Sequence, residues 1–251
     1  MSAYKIFFLH IPKTAGTALS RVFRAAVPID RYFEHMESRV PLFHEVIADD
    51  EPFFVSGHFT YEVAQGLILR QDVYALTVLR DPVQQLESHI KWVKAYGNPE
   101  DPERLELIPP PIAKLALQLW ESDLNDVSDL EKVLESPLGH QLFDNLHVRY
   151  LTSAKVSKVG RTEAELACEH IKTLDLFFVV DDLPAAMERL KARFSDICEL
   201  ENVNPSMIDE NVQPENKTVM EYLLEKTKFD QLLFDRAKEE SRLRFFDRRG
   251  A

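Results

Sequence analysis

The chain is poor in glycine, in cysteine and in long apolar runs. Seven glycines among 251 residues, and the lack of an internal repeat of about 20–50 residues, argue against a repeat protein and an all-β fold rich in tight turns. No stretch approaches the roughly 18 consecutive apolar residues of a membrane-spanning helix. The first apolar segment, residues 6–9, is too short for a signal peptide. Two cysteines cannot form a disulfide framework, so we expect a cytoplasmic protein with reduced thiols.

Basic residues are outnumbered as well. Thirty Lys and Arg residues against forty-two Asp and Glu residues give a formal net charge of −12. A surface of that sign repels nucleic acids, anionic membranes and polyanionic glycans unless a local basic patch opposes it. We therefore expect no nucleic-acid partner. The hydrophobic content of 45% is typical of a globular protein with a large core, not of a disordered chain.

Four short apolar runs, each followed by a segment of helical character, set the predicted architecture. The runs are nearly continuous, as in strands that are covered on both faces. Strand followed by helix, repeated, predicts right-handed βαβ units and a parallel sheet. The predicted strands are residues 4–10, 52–56, 73–79 and 176–180, and the helices that follow them are residues 17–26, 60–69, 83–96 and 184–194.

A long insertion, about residues 97–173, separates the third and fourth predicted strands. It opens with a proline-rich loop and continues as amphipathic helices. No flexible polar linker bounds it, so we expect an acceptor-side part of one domain that spans residues 1–251. Residues 219–245 predict one or two further helices with a solvated, charged face.

The segment HIPKTAGTAL, residues 10–19, lies where the first strand ends and a helix begins. Loop N–H groups and the helix dipole attract anions at such a junction, and Lys13 adds a full positive charge. Small and hydroxyl side chains around it allow close approach of a ligand: Thr14, Ala15, Gly16, Thr17 and Ala18. The segment is not a Walker A motif, because its lysine precedes the glycine. The alternative is a capped helix whose entry turn is set by Pro12.

A second polar motif follows the third predicted strand. Arg80, Asp81 and Pro82 stand at its end, and Ser88 lies about two turns along the next helix. Open α/β sheets bind ligands at the carboxyl edge of their strands, where Arg80 is expected to lie. The alternative is a strand terminus with a local ion pair. Two anion-binding elements on neighbouring strand ends favour a binding site.

These segments resemble motifs of the sulfotransferases that use 3′-phosphoadenosine 5′-phosphosulfate (PAPS). IPKTAGTAL, residues 11–19, resembles their 5′-phosphosulfate loop, and RDPVQQLES, residues 80–88, resembles their 3′-phosphate motif. SGHF, residues 56–59, resembles the element that carries the catalytic histidine in the heparan 2-O-type carbohydrate sulfotransferases and their bacterial relatives. DNLHVRYL, residues 144–151, is similar to a helix near the active site of the same group.

The resemblance implies a P-loop-like, three-layer α/β fold with a central, mainly parallel sheet. It also implies transfer of the sulfuryl group of PAPS to an acceptor hydroxyl, with 3′-phosphoadenosine 5′-phosphate (PAP) as the product. Lys13 and the loop through Ala18 would hold the 5′-phosphate, and Lys13 would stabilise it as it leaves. Arg80 and Ser88 would hold the 3′-phosphate, and His58 would act as the general base.

Several alternatives remain at this point. The chain can instead be an ATP-dependent P-loop-type kinase, or a catalytically inactive nucleotide-binding or scaffold protein. Glu62, His147 and His10 compete with His58 for the role of base. The net charge favours a neutral glycan, a lipid or a small metabolite as the acceptor. The remaining histidines lack the spacing of a metal site, so no metal is expected: His35, His44, His89, His140 and His170.

Overall fold

A computed structural model of the chain describes residues 4–153, 158–194, 196–200 and 216–247, with side chains as far as residue 241. Within these residues the fold is a parallel sheet with helices on both sides. The strands are β1 (Lys5–Leu9), β2 (Tyr32–Phe33), β3 (Phe53–Gly57), β4 (Val73–Leu79) and β5 (Leu176–Val179). The helices are α1 (Gly16–Val22), α2 (Val40–Ala48), α3 (Tyr61–Ile68), α4 (Pro82–Tyr96), α5 (Pro102–Leu105), α6 (Pro110–Glu121), α7 (Val127–Leu134), α8 (Pro137–Phe143), α9 (Leu146–Tyr150), α10 (Arg161–Ile171), α11 (Leu183–Arg193), α12 (Lys217–Lys226) and α13 (Lys228–Asp247).

The strand order across the sheet is β2-β3-β1-β4-β5, and every neighbouring pair is parallel. The predicted parallel α/β sheet is therefore confirmed, and its four predicted strands correspond to β1, β3, β4 and β5. The prediction missed β2, which has only two residues, both half-buried. An apolar run cannot mark a strand that short.

Alternate residues of β1 enter two different hydrophobic cores. Ile6 and Phe8 pack in a cluster with residues of α1 and α11. Phe7 and Leu9 pack on the opposite face with residues of α2, α3, α10 and α13. All four side chains are fully buried. Helices therefore cover both faces of the sheet, which gives the three layers expected from the sequence.

A third core belongs to the helices beyond the sheet. It joins α4, α6, α7 and α8 to α12, and it contains the buried side chains of Leu115 and Leu119. Trp92 of α4 is 36% exposed. Among the helices of the described residues, none is both long enough and apolar enough to cross a membrane.

Helices α9 and α13 cap each other. The side-chain oxygen of Asn145, which precedes α9, accepts the N–H groups of Phe229 and Asp230 in the first turn of α13, each at 2.9 Å. In return, the carboxylate of Asp230 accepts the N–H groups of His147 and Val148 at 3.0 and 2.8 Å. Asn145 has a φ of 47°, a conformation that asparagine tolerates better than most residues. Each of these side chains accepts buried N–H groups in the first turn of the other helix, which have no acceptor within that helix.

We predict that Asn145→Ala lowers the free energy of unfolding by about 2–4 kcal/mol, because two buried N–H groups lose their acceptor. Chemical denaturation of the full chain measures the change. Asn145→Gly removes the same acceptor but adds no backbone strain at positive φ. It therefore separates the loss of the hydrogen bonds from the strain that alanine adds. Asn216→Ala is the matched control, since Asn216 caps α12 at an exposed site and its loss costs about 1 kcal/mol. Wild-type stability in Asn145→Gly would contradict the mutual capping.

Candidate anion-binding and catalytic site

The candidate site lies at the carboxyl end of β1, the central strand. The chain reaches β3 on one side of β1 and then crosses to β4 on the other side. Ligands of open α/β sheets bind outside the carboxyl ends of the strands, at the point where the strand order reverses. The loop of residues 10–15 lies at this point, between the end of β1 and the start of α1.

Five consecutive carbonyl oxygens of the chain leaving β1 are held by side chains. In each pair below, the side chain of the first residue donates to the carbonyl of the second. The pairs are Thr77 and Leu9 (2.8 Å), His58 and His10 (2.7 Å), Thr14 and Ile11 (2.9 Å), Gln85 and Pro12 (2.9 Å), and Arg80 and Lys13 (3.4 Å). Three of these donors come from β4, from the residue that follows it and from α4. These contacts turn the carbonyls of residues 9–13 toward the protein, and the N–H of His10 donates to the carbonyl of Gly57 at 3.1 Å.

The N–H groups of residues 13–18 have no hydrogen-bond acceptor within the described part of the chain. Lys13 and Ala15 have φ values of 67° and 64°, and successive residues that alternate in this way turn their N–H groups toward one side, as in anion-binding nests. Ala15 is exposed, whereas Lys13 and Thr17 are half-buried. A loop of this conformation can accept an anion through its backbone N–H groups.

Lys13 and Arg80 bring two positive charges to this loop. Both side chains are half-buried, and neither forms a salt bridge within the described residues. Burial lowers the pKa of Lys13, and the charge of Arg80 lowers it further. Burial also lowers the pKa of Arg80. The charges of Asp81, Glu87 and Asp181 act on the pKa of Arg80 in the opposite direction. An anion between or beside the two cations would offset their mutual repulsion.

The other predicted ligand-binding residues lie in the same loop, in the first turn of α1 and on α4. Ser88 is half-buried on α4, and Gly16 and Ala18 lie in the first turn of α1. The hydroxyl of Thr14 is fully buried and donates to the carbonyl of Ile11. Thr14 therefore offers a ligand its backbone N–H group, whereas Thr17 also has a hydroxyl without a hydrogen-bond partner among the described residues.

His58 lies directly after β3, beside the loop. Its Nδ1 is 2.7 Å from the carbonyl oxygen of His10, and because a carbonyl can only accept, Nδ1 carries the proton. The Nε2 atom of the neutral ring is left with a free lone pair. Burial lowers the pKa of His58, so the ring is neutral near pH 7. The ring of Tyr150 lies edge-on to it, 6.2 Å between centroids.

The competing bases are placed less favourably. His147 is fully buried, and His10 is 6% exposed. Burial lowers the pKa of each to about 3, with the neighbouring His58 contributing in the case of His10. Glu62 is exposed on α3 and accepts a hydrogen bond from Ser153. Of the four candidates, His58 is the one whose ring lies beside the loop with its tautomer set by a backbone carbonyl, which leaves Nε2 as the acceptor.

Two residues of this region were not predicted from the sequence. Glu37 and His35 lie in the short turn after β2, and the carboxylate of Glu37 accepts the backbone N–H of His58 at 3.0 Å. Burial alone would raise the pKa of Glu37, but its contacts with His35 and His58 lower it to about 2. The only signal of these residues in the sequence was the spacing of His35 and Glu37, two positions apart. Their closeness in space to His58 depends on the order of the strands in the sheet.

No family model matches the chain, and no curated protein is significantly similar to it.

Gly16 allows the close contact between α1 and the side chain of His10, the residue that follows β1. A Cβ atom at this position would lie 2.0 Å from the ring of His10, the residue whose carbonyl orients His58. We predict that Gly16→Ala lowers the free energy of unfolding by about 1–3 kcal/mol through overpacking. Denaturant titration measures the change.

Gly66→Ala in α3 is the matched control, because nothing lies within 4 Å of a Cβ atom there. In that exposed helical position alanine should stabilise the protein by about 0.5–1 kcal/mol. Changes of the same sign and size in the two variants would contradict the proposed contact.

Proposed function

We propose that the protein is a PAPS-dependent sulfotransferase. The observation that carries the proposal is the pair of half-buried cations, Lys13 and Arg80, at a loop where side chains hold the carbonyls of residues 9–13 and the N–H groups of residues 13–18 have no acceptor among the described residues. A nucleotide with a 5′-phosphosulfate and a 3′-phosphate supplies anions for both cations. The resemblance of residues 11–19 and 80–88 to the two PAPS motifs supports the same assignment.

The residues have separate roles in this proposal. Lys13, Thr17 and the N–H groups through Ala18 bind the 5′-phosphate, and Arg80 and Ser88 bind the 3′-phosphate. Arg80 suits this role because its planar guanidinium group can hold two phosphate oxygens at once. Recognition of the 3′-phosphate distinguishes PAPS from ATP.

Sulfuryl transfer, like phosphoryl transfer, depends on in-line positioning and neutralisation of charge. The acceptor oxygen forms a bond to sulfur while the bond from sulfur to the 5′-phosphate oxygen breaks. His58 Nε2 takes the proton of the acceptor hydroxyl, and PAP leaves with the bonding electron pair. Lys13 and the loop N–H groups stabilise the negative charge that develops on that phosphate.

The acceptor in this proposal is a neutral glycan, a lipid or a small metabolite. The net charge of −12 disfavours a polyanionic acceptor and a nucleic-acid partner through long-range repulsion. Trp92, exposed on α4, lies with its ring centroid 5.9 Å from Lys13 Nζ and offers an apolar contact next to the reacting group. We assign the reaction to the cytoplasm, in keeping with two free cysteines, Cys168 and Cys198.

We predict that PAP raises the melting temperature of the full chain far more than AMP or ATP does. A ligand at one hundred times its Kd stabilises the native state by about 2.7 kcal/mol.

Arg80→Met should weaken PAP binding by about 10–100-fold and abolish the preference for PAP over AMP, because the 3′-phosphate loses its charged partner. Lys13→Met should weaken the binding of both PAP and AMP.

Lys114→Met, which removes an exposed lysine of α6, is the matched control and should leave PAP binding unchanged. Equal stabilisation by ATP and PAP would overturn the proposal. Magnesium-dependent ATP turnover would then favour the kinase alternative.

We also predict that His58→Ala lowers the rate of sulfuryl transfer by about 10²–10⁴-fold, the usual contribution of a general base, while PAP binding stays intact. Transfer is measured with labelled PAPS against a panel of uncharged glycans, lipids and phenols. His58→Asn is a second variant that retains a donor for the His10 carbonyl, and His44→Ala removes an exposed histidine as the control.

An unchanged rate in both His58 variants would exclude His58 as the base. Tight PAP binding without transfer to any acceptor in the wild-type protein would favour the inactive nucleotide-binding alternative.

A further inference from the structure

A second function of the same region is indicated by three side chains, a pair close in sequence and a histidine about 20 residues further along the chain. One ring nitrogen of His35, one ring nitrogen of His58 and one carboxylate oxygen of Glu37 lie within 4.8 Å of one another. Within the described residues, this is the one group of three such side chains with that spacing. Two imidazoles and a glutamate are a ligand set that proteins use for catalytic zinc, with the fourth position left open.

The distances require little movement for a cation to bind. Tetrahedral zinc with bonds of about 2.0–2.1 Å holds its ligand atoms about 3.4 Å apart. His35 Nδ1 and Glu37 Oε1 are already 3.5 Å apart. The side chain of His35 is 60% exposed, so it can rotate to bring its nitrogen toward the other two ligands.

The other two ligands are held in place by the backbone. His58 donates its Nδ1 proton to the carbonyl of His10, and metal-bound histidines characteristically donate their second ring nitrogen in this way. The Glu37 carboxylate is fixed by the N–H of His58. Gly57 permits this contact, because a Cβ atom there would lie 2.6 Å from Glu37 Oε2.

His35 itself has an uncommon backbone conformation, with a φ of 54°. Residues other than glycine adopt this backbone conformation infrequently, and they keep it where the surrounding structure enforces it. Such residues are concentrated at functional positions. Together with the spacing of the three side chains, the conformation indicates a site rather than a chance surface ion pair.

We propose that His35, Glu37 and His58 form a binding site for a divalent transition metal of the zinc type. Because His58 Nδ1 is engaged with the His10 carbonyl, the metal takes the Nε2 lone pair, which is the lone pair that a general base needs. Metal binding and proton abstraction by His58 therefore exclude each other, and zinc inhibits transfer. This consequence rests on the proposed function, whereas metal binding does not.

The test is zinc binding to the full chain after removal of metal by a chelator, measured by competition with a chromophoric chelator. We expect one zinc ion per chain, with affinity at least about tenfold weaker in His35→Asn and in Glu37→Gln. Asparagine suits the positive φ at residue 35, and glutamine keeps an acceptor for the His58 N–H, so both variants should fold. Circular dichroism confirms that they do.

Two controls separate this site from other zinc ligands. His44→Asn removes an exposed histidine of α2 outside the cluster, and Cys198→Ser removes the exposed thiol. Both should bind zinc like the wild-type protein, and bound cobalt should show no thiolate charge-transfer band. Failure of the wild-type chain to bind zinc saturably, or unchanged affinity in either cluster variant, would overturn the site. The measurement uses neither PAPS nor an acceptor, so it can fail independently of the proposed function.

Discussion

The burial of β1 between two parallel neighbours is the constraint on which the rest of the structure depends. β1 pairs with β3 and β4 along its whole length, and its residues enter both cores of the sheet. The chain must therefore leave β1 at a point surrounded by the ends of two other strands. Side chains from those strands and from α4 bind the carbonyls of the departing loop. The loop conformation is thus a product of the sheet, and so is the direction in which its N–H groups point.

The same arrangement brings two cations together in an acidic protein. The net charge of −12 belongs to the whole surface and acts over long distances, where salt screens it. Lys13 and Arg80 act at short range in a half-buried setting, where electrostatic interactions are stronger. Arg80 also donates to the Lys13 carbonyl, so one of the two cations helps to shape the loop that carries the other. The overall charge affects which molecules approach from a distance, and the local charge affects which groups can bind at the loop.

The sequence predicted what continuous local patterns encode. The run VYALTVL predicted both ends of β4, Val73–Leu79, correctly. The helices after β1, β3, β4 and β5 begin within one residue of their predicted starts. It could not predict β2, whose two residues owe their strand conformation to pairing with β3. The positions of Glu37 and His35 beside His58 follow from that pairing. The Thr14 hydroxyl was predicted to face a ligand, and its internal bond to Ile11 could not be inferred from residue type.

The mutual capping of α9 and α13 has a consequence for the order of assembly during synthesis. Helix α9 has five residues, too few to persist by itself in water, and its cap, Asp230, lies 82 residues beyond Val148. A nascent chain that has emerged only through β4 and α4 can already form the centre of the sheet and the loop of residues 10–15, since the strands and side chains that contact them all lie before residue 97. Tyr150, at the end of α9, reaches its place beside His58 only after residue 230 has left the ribosome. The loop of residues 10–15 can therefore form early, and the contact between the rings of Tyr150 and His58 forms late.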